Sequence, residues 1–516
     1  MPRPLLLTGY KLRRKDFYDV LLGDRRVALP PRARQVMKRS RAVVERMIAE
    51  KRAVYGVTTG VGSLSTERIE PGEVRQLQLN IVRSHACGVG EPLGAAETRG
   101  ILLLRANALA TGLSGVRLVV ADLLCEFLNR RIHPVTPERG SVGASGDLAP
   151  LAHLALALVG EGEVIVQRGR PADGARGKRM SAKAALKRAG LKPLTLEAKE
   201  GLSLVNGTQV MLAHGLLALR QAEILVDTAD VAGALSLDAL RGSPVAFDDR
   251  LQRVRPHPGQ LASARNLLRL NRGSTIRQSH WDCPRVQDAY SLRCMPQVHG
   301  TVRDALAYAA RVFEIEMNSV TDNPLVFAED AQVLSGGNFH GQPLATALDL
   351  MAIVLTQLGS ICERRIDRMV NPLTSELPAF LAGSPGLESG MMLAQVTAAA
   401  LASENKVYAH PASVDSIPTS GNKEDFVSMG MAAALKLRPI LGNVSSILAI
   451  ELLAASRAID LLVPLRTGLL AERARAMVRR LSAPLERDRA LYRDIARLAE
   501  SVRDGDFAKI LHSSHQ

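Results

Sequence analysis

The sequence predicts a mainly α-helical protein in which a loop-rich N-terminal part precedes a bundle of long helices. Of the 516 residues, 47% are apolar, yet the aromatic residues comprise only 9 Phe, 7 Tyr and 1 Trp. A core of this composition must be built from Ala, Leu, Val and Ile, which favours packed helices over a β-sandwich. The apolar fraction also excludes a chain that is disordered throughout.

Residues 1–215 are rich in glycine and loop signals, and we predict that they form one domain. The segment VIVQRGRPA (164–172) predicts a small hairpin with its turn near Gly169. The other loop segments of this part are YGVTTGVGS (55–63), ACGVGEPLG (86–94) and ERGSVGASGD (138–147).

Residues 216–516 have the pattern of long helices and are predicted to form a second domain. A heptad-like apolar stripe predicts helix–helix packing, and its periodicity leaves open whether it lies in the core of the chain or in a subunit interface. A second long helical segment covers 425–462, with a kink expected at Pro439. The stripe consists of Leu344, Leu348, Met351, Leu355, Leu358 and Cys362.

The charge balance does not indicate a nucleic-acid partner. The chain has 66 Lys and Arg against 51 Asp and Glu, a net charge of +15. In segments such as 470–500 the arginines alternate with acids, which is typical of solvated helix faces. No zinc finger, recognition helix or aromatic-basic platform is present in the sequence, and the excess charge suits an anionic small substrate.

Cysteine and histidine usage indicates a reducing compartment and no metal. Five scattered cysteines without CxxC spacing predict free thiols, and the 11 histidines form no ligand-spaced cluster. The N-terminal apolar run is too short for a signal peptide, and no run of about 20 apolar residues predicts a membrane span. We therefore expect a cytoplasmic protein without a membrane partner. The cysteines are Cys87, Cys125, Cys283, Cys294 and Cys362.

The segment GSVGASGDLAPLAH (140–153) is the most informative loop of the chain. A phosphate-binding loop would end in Gly-Lys-Ser/Thr, and a hydrolase elbow would read Gly-x-Ser-x-Gly; neither frame fits. A purely structural interpretation is a glycine-rich turn in which Asp147 caps a helix through 151–158.

A second interpretation of this loop is chemical. Gly146 has no side chain, so its amide nitrogen can approach the carbonyl of Ala144 closely. Ring closure and the loss of two waters, one from the side chain of Ser145, would produce a methylidene-imidazolone, an electron-poor alkene that can accept an amine.

The loop resembles the signature of the aromatic amino acid ammonia-lyase family, which also includes 2,3-aminomutases. The resemblance extends along nearly the whole chain and is strongest to the members that act on histidine. The further matching segments are YGVTTGVG (55–62), RSHACGVGEPL (83–93), EGLSLVNGT (200–208), VQDAYSLRCMPQV (286–298), NSVTDNPLVF (318–327), GGNFHGQP (336–343), AQVTAAALASENK (394–406) and SVDSIPTSGNKEDFVSM (413–429).

This resemblance implies a fold of the ammonia-lyase/fumarase-like superfamily. In such proteins an N-terminal domain carries the prosthetic group, and a bundle of long helices forms the core of a homotetramer whose active sites are shared between subunits. It also implies that the methylidene-imidazolone forms from Ala144, Ser145 and Gly146 without an external cofactor.

The resemblance implies catalytic roles for three further residues. Tyr55 corresponds to the base that removes the β-proton, which requires a neighbouring positive field to stabilise a phenolate. Asn206 would contact the prosthetic group or the amine, and Tyr290 would contribute to proton chemistry at the group. Thr58 and Val61 stand where the family usually has Asn and an aromatic residue, so the packing around the base departs from the family pattern.

Five substrate-binding residues are implied in the same way. Arg293 would bind the substrate carboxylate through its guanidinium fork, Gln287 would contact the substrate, and Phe339 would line the pocket. His85 occupies the ring-selectivity position, and Glu424 stands where histidine-specific members have Glu. The structural alternative is that His85 packs in a loop and Glu424 caps a helix starting near Asp425.

The activity implied is elimination of ammonia from an aromatic L-amino acid, with L-histidine and trans-urocanate as substrate and product. Phe426 and Lys423 replace the His and Gln common in histidine-specific members, which keeps tyrosine and phenylalanine open as substrates. A 2,3-aminomutase that returns the amine to the β-carbon is an alternative, and a non-catalytic helical scaffold is a third.

Overall fold

The computed structural model describes residues 3–144, 146–167, 169, 177–282 and 286–512. Helices make up 57% of it, which confirms the mainly α-helical prediction. The chain forms two compact units, each discontinuous in sequence. Unit 1 comprises Met1–Leu217, Arg311–Leu348 and Pro411–Leu435, and unit 2 comprises Ala218–Ala310, Asp349–His410 and Lys436–Gln516.

The division into domains at 215/216 stays a prediction. The first boundary between the compact units follows Leu217, but the chain returns to unit 1 twice. The local composition of the sequence does not show where the chain re-enters unit 1, because both units are built from similar helices.

The helices range from single turns to long rods. They are α1 (Arg14–Leu21), α2 (Pro31–Ala49), α3 (Val74–His85), α4 (Ala95–Ala110), α5 (Leu118–Asn129), α6 (Leu148–Leu158), α7 (Ala182–Ala189), α8 (Glu200–Val205), α9 (Gln209–Ala239), α10 (Asp249–Arg253), α11 (Pro258–Leu270), α12 (Thr275–Gln278), α13 (Tyr290–Arg293), α14 (Met295–Glu316), α15 (Gln342–Val370), α16 (Met392–Tyr408), α17 (Gly430–Leu435), α18 (Leu437–Asp460), α19 (Leu469–Leu481), α20 (Tyr492–Arg503) and α21 (Lys509–His512).

Unit 1 also contains short β-strands. The pairs are β1 with β2 (parallel), β3 with β5, β4 with β6, β6 with β7, and β8 with β9 (all antiparallel). Their bounds are β1 (Leu5–Leu6), β2 (Val27–Ala28), β3 (Val89–Pro92), β4 (Ile132–Pro134), β5 (Pro137–Arg139), β6 (Glu163–Val166), β7 (Lys178–Ser181), β8 (Leu325–Phe327) and β9 (Gln332–Leu334).

The predicted hairpin at 164–172 is present but longer than predicted. Its first strand is β6, whereas its second strand is β7, which begins only at Lys178. Residues 170–176, where part of the connection lies, are outside the described residues.

Three helices of unit 1 place the loops that matter for function. Helices α3, α6 and α8 pack against one another. Helix α6 has the sequence LAPLAHLALAL and is buried on most sides, so its apolar surface anchors it between its neighbours. Because α3 ends at His85, α6 starts after Asp147 and α8 ends before Asn206, their packing gathers three candidate segments at helix ends.

The apolar stripe of α15 belongs to the core of the chain. All six of its side chains have no exposed surface, so the intrachain alternative is the correct one. The long segment 425–462 is interrupted as predicted. Helix α17 ends at Leu435, four residues before Pro439, whose ring would clash with the carbonyl of Leu435 in a continuous helix.

Two helical stretches are long and apolar enough to cross a membrane by length and composition alone. They are Gln342–Val370 and Gly430–Asp460, and 61% and 78% of their most apolar windows are buried in the protein. Burial of this extent is typical of core helices, and the absence of a membrane span stays a prediction.

Replacing Leu355 by Ala tests the assignment of the α15 stripe to the core. Because the side chain is fully buried, we expect the free energy of unfolding to fall by about 2–5 kcal/mol, measured by chemical denaturation. Leu373→Ala, at a position that is 91% exposed, should change it by less than about 0.5 kcal/mol. The sedimentation mass should not change; dissociation of subunits without loss of stability would contradict the assignment.

Candidate active site

The loop that carries Ala144 and Gly146 is held by two distant segments of unit 1. The carbonyl oxygen of Gly143 accepts hydrogen bonds from the amide of Gly341 (3.2 Å) and the hydroxyl of Ser428 (3.0 Å). The amide of Met429 donates to the carbonyl of Val142 (2.8 Å). Ser145, which lies between Ala144 and Gly146 in the sequence, is outside the described residues.

Gly146 makes a backbone approach that only glycine allows. It has φ +75° and forms a parallel bridge with Gly207. A Cβ atom on Gly146 would lie 2.1 Å from the carbonyl oxygen of Gly207. Any side chain would therefore force the two backbones apart, so this position requires glycine.

Asp147 does not cap its own helix, so the structural interpretation of this residue is wrong in that respect. Its side chain makes no capping bond to α6. Its Oδ2 instead accepts hydrogen bonds from the amides of Val210 and Met211, both at 2.9 Å, in the first turn of α9. Ser141 donates to Oδ1 (3.2 Å). Asp147 thus supplies the carboxylate that the positive end of α9 attracts.

Burial controls the ionisation of Asp147. The side chain is completely buried, and desolvation raises its pKa from 3.8 to about 7, although the two amide bonds from α9 oppose the rise. Buried Arg105 also opposes it through its positive charge.

Asn206 has an unsatisfied acceptor beside this loop. Its main-chain oxygen accepts from Arg105 (2.8 Å), and its Nδ2 donates to the carbonyl of Asn323 (3.2 Å). Its Oδ1 is buried and has no hydrogen-bond partner within the described part of the chain. An unpaired buried acceptor costs about 1–3 kcal/mol, so a donor from a bound group would be favourable here.

A cavity of about 350 Å³ in unit 1 joins the loop to the predicted ring-selectivity residues. Ala144, Gly146, His85 and Glu424 all line it. His85 Nδ1 lies 3.0 Å from the Ser84 hydroxyl. Burial lowers the pKa of His85, and the charge of Glu424 acts in the opposite direction.

Glu424 lies in a closed turn and not at a helix start. Its Oε2 accepts a hydrogen bond from the hydroxyl of Thr419 (2.6 Å), and the two residues form an antiparallel bridge. No helix begins at Asp425, because the next helix is α17, at Gly430. The helix-capping alternative for Glu424 is therefore wrong.

Tyr55 and Phe339 are not among the residues that line this cavity. The hydroxyl of Tyr55 accepts a hydrogen bond from the amide of Gly62 (3.0 Å) within its own glycine-rich loop. Phe339 is half-buried and adjoins His340, whose ring stacks on Phe426 with centroids 6.0 Å apart. The segment after Phe339 nevertheless contacts the loop, because the amide of Gly341 donates to the carbonyl of Gly143.

Gln287, Tyr290 and Arg293 lie in unit 2. Tyr290 starts the short helix α13 and is 70% exposed, while Gln287 precedes the helix and is also exposed. The Cζ atom of Arg293 lies 4.6 Å from the centroid of the Tyr290 ring, a cation–π contact. The Nε of Arg293 is buried and has no acceptor among the described residues, so this guanidinium retains donor capacity for an anion.

Sequence reasoning missed two polar residues that support the site, Arg105 and Thr419. Arg105 donates to the carbonyls of Ser203 (3.0 Å) and Asn206 and is fully buried, which lowers its pKa to about 10. A signal was available, because Arg105 interrupts the apolar run ILLLRANALA. Thr419 had no comparable signal. Among the described residues, no group of three or more His, Cys, Asp or Glu could hold a metal ion.

Comparisons with known proteins agree along the whole length of the chain. The model of the family "Aromatic amino acid lyase" matches residues 12–481. A histidine ammonia-lyase from Koribacter versatilis is 56% identical, covering 98% of this chain and 99% of the relative. One from Myxococcus xanthus is 50% identical over 100% of both.

Solved structures of the same fold come from more than one activity. The histidine ammonia-lyase of Trypanosoma cruzi superimposes with a TM-score of 0.90 at 41% identity, covering 99% of this chain and 95% of that structure. The tyrosine aminomutase of Streptomyces globisporus has a TM-score of 0.92 at 37% identity, with 100% of both chains covered.

The raised pKa of Asp147 predicts a pH-dependent contribution to stability. The pKa of about 7 in the folded protein exceeds the ordinary 3.8, so the bound proton stabilises the fold fully below pH 4, and this contribution is lost as the pH rises through 7. Asp147→Asn keeps an acceptor and cannot ionise. We expect the melting temperature of the protein with Asp147, minus that of the Asp147→Asn variant, to decrease between pH 5 and pH 8. A difference between the two melting temperatures that does not vary with pH would contradict this.

Proposed function

The chain belongs to the aromatic amino acid lyase family, and we propose that this carbon–nitrogen lyase eliminates ammonia from L-histidine to give trans-urocanate. The observation that carries the proposal is the 350 Å³ cavity in which Ala144 and Gly146 share one surface with His85 and Glu424. This cavity combines the place where the electrophile would form with two polar groups suited to an imidazole. The relatives named histidine ammonia-lyase support the same substrate.

The residues around the loop fit a methylidene-imidazolone made from Ala144, Ser145 and Gly146. The close approach of Gly146 to Gly207 requires the absence of a side chain at Gly146. The finished group would have no N–H or O–H to donate, so the unpaired Oδ1 of Asn206 would accept a hydrogen bond from the substrate ammonium. When formed, the group would supply an electrophile that bonds to the substrate and assists the departure of ammonia. No external cofactor is proposed.

Recognition of the ring follows from the chemistry of imidazole, which offers one donor and one acceptor and can also be protonated. The carboxylate of Glu424 accepts an imidazole N–H or pairs with an imidazolium. Burial favours the neutral form of His85, and a neutral histidine offers one donor and one acceptor of its own. A phenyl ring offers neither group a new hydrogen bond, so its binding would desolvate two polar side chains without compensation.

The remaining proposed roles concern the substrate backbone and the proton. Arg293 binds the carboxylate, and its buried Nε without an acceptor supports a role in anion binding. Gln287 contacts the substrate and Phe339 walls the pocket. Tyr55 removes the β-proton and Tyr290 assists proton transfer at the prosthetic group. The Tyr55 oxygen has more than one lone pair, so it can keep the hydrogen bond from the Gly62 amide while it accepts the substrate proton.

We also propose a cytoplasmic homotetramer with shared active sites. The exposure of Tyr290 and Gln287 supports shared sites, because residues with catalytic and binding roles normally lie in a desolvated pocket. The four described cysteines are free thiols, which fits a reducing compartment. Nucleic acid, membrane and metal have no role in the proposal.

A 2,3-aminomutase is the second candidate, favoured by the similarity to the tyrosine aminomutase of Streptomyces globisporus. An aminomutase would return the amine to the β-carbon, so chromatography of the products separates the two activities. A β-amino acid as the main product would replace the lyase proposal. Conversion of tyrosine or phenylalanine in preference to histidine would identify a tyrosine or phenylalanine lyase.

Formation of the prosthetic group predicts a mass deficit. Cyclisation with loss of two waters should lower the intact mass by about 36 Da relative to the sequence, measured by mass spectrometry of the denatured protein. Ser145→Ala removes the hydroxyl that one water needs, and the full deficit should disappear together with activity. An unmodified intact mass in active protein would contradict the proposed electrophile.

Substrate choice is tested at Glu424 and His85. We expect the purified protein to convert L-histidine with a rise in ultraviolet absorbance from the conjugated product. Glu424→Gln and His85→Leu should each lower kcat/KM for histidine by about tenfold or more, the effect of losing a hydrogen bond to a charged or buried partner, and should lower any turnover of phenylalanine far less.

The control for the loss of a negative charge is Glu500→Gln, on an exposed face of α20. It should leave kcat/KM for histidine and any turnover of phenylalanine unchanged. Equal losses on histidine and phenylalanine would place Glu424 and His85 in shared catalysis or scaffolding. No absorbance change with histidine, phenylalanine or tyrosine would overturn the lyase proposal itself.

A further inference from the structure

We infer that Thr419 is a positioning residue for ring selectivity, whose hydroxyl holds the Glu424 carboxylate in the orientation that receives an imidazole N–H. The inference rests on the proposed function, because Glu424 must be the ring acceptor for its orientation to matter. The contact that carries it is the 2.6 Å hydrogen bond from Thr419 Oγ1 to Glu424 Oε2. Both residues line the 350 Å³ cavity together with Ala144 and Gly146.

The backbone holds Thr419 and Glu424 opposite each other. The amide of Thr419 donates to the carbonyl of Glu424 (2.9 Å), and the amide of Glu424 donates to the carbonyl of Thr419 (3.3 Å). Within the turn, the amide of Lys423 donates to the carbonyl of Ser420 (3.2 Å). Such a pair, in which two residues exchange both main-chain bonds, places their side chains on the same face of the ribbon.

The turn between them adopts an unfavourable backbone conformation. Ser420, Gly421 and Asn422 have φ of +49°, +59° and +65°, three consecutive residues in the left-handed region. Residues other than glycine occupy this region at an energetic cost, which Asn bears most easily. Backbone conformations of this kind persist where the surrounding structure holds them, and they cluster at binding sites. Here they close the turn that places Thr419 beside Glu424.

Fixing one carboxylate oxygen has a direct consequence for binding. A glutamate side chain has three rotatable bonds, and a ligand that must order it loses affinity to the conformational entropy of those bonds. The Thr419 hydroxyl has one proton, and in this geometry it is donated to Oε2, which sets the direction of the carboxylate plane before substrate arrives. Valine has nearly the same shape as threonine without the hydroxyl, whereas serine keeps the hydroxyl.

The experiment compares two non-reacting ligands that differ only in the ring. They are 3-(imidazol-4-yl)propanoate and 3-phenylpropanoate, with Kd measured by calorimetry on the mature enzyme. Thr419→Val should weaken binding of the imidazole ligand about tenfold, the effect of a lost hydrogen bond to a charged group, and that of the phenyl ligand by less than about twofold. Thr419→Ser should restore the imidazole preference. Thr397→Val, on the exposed face of α16, controls for the Thr-to-Val change itself.

A double-mutant cycle tests whether Thr419 acts through Glu424. If it does, Thr419→Val combined with Glu424→Ala should bind the imidazole ligand no more weakly than Glu424→Ala alone, because alanine leaves no acceptor for the Thr419 hydroxyl to hold in place. Additive losses would show that Thr419 acts independently and would overturn the inference. In steady-state kinetics with histidine, Thr419→Val should raise KM more than it lowers kcat.

The remaining outcomes separate this inference from the proposed function. If Glu424→Gln weakens the imidazole ligand and Thr419→Val does not, the positioning role is overturned and the proposed recognition of histidine stands. If Thr419→Val weakens both ligands equally, the hydroxyl serves the fold and not the selectivity. If Glu424→Gln has no effect on the imidazole ligand, the proposed ring recognition fails, and the inference fails with it.

Discussion

The close contact between the backbones of Gly146 and Gly207 is the constraint on which the candidate site depends. The two residues form a parallel bridge, and the amide of Asp147 donates to the carbonyl of Gly207 at 2.7 Å. This contact joins the loop before α6 to the segment between α8 and α9. It leaves no space for a side chain at Gly146, so the positions of Gly146 and of Asn206, which precedes Gly207, are set together.

Ionisable side chains are buried at this junction, and their hydrogen bonds offset the free-energy cost of removing them from water. Asp147 is desolvated but bound to the first turn of α9, and Arg105 is desolvated but bound to the main-chain carbonyls of Ser203 in α8 and Asn206 just after it. Lys199, also fully buried, pairs with Asp322 at 2.8 Å and bonds Ser203; desolvation lowers its pKa while Asp322 opposes the change. Removing Lys199 or Asp322 would leave the other buried charge unpaired.

The part of the cavity that His85 and Glu424 line is held by local contacts and not by buried charges. His85 and Glu424 lie at the end of α3 and in a closed turn, where polar side chains can meet a ligand without being part of the core. Their neighbours Ser84 and Thr419 each supply a hydroxyl that contacts the functional group directly. If these residues recognise the ring as proposed, selectivity depends on local hydrogen bonds that can change without disturbing the buried junction.

The sequence by itself determined the mainly helical class, through an aromatic-poor apolar core, and the family, through the segment around Ala144, Ser145 and Gly146 and the other matching motifs. Only the tertiary structure decided that Asp147 caps α9 and not α6, that Glu424 lies in a turn and not at a helix start, and that the α15 stripe is intrachain core. The physical reason is the same in each case. A local pattern states which groups need partners, whereas partners such as Val210, 63 residues beyond Asp147, are assigned by long-range packing that no local pattern contains.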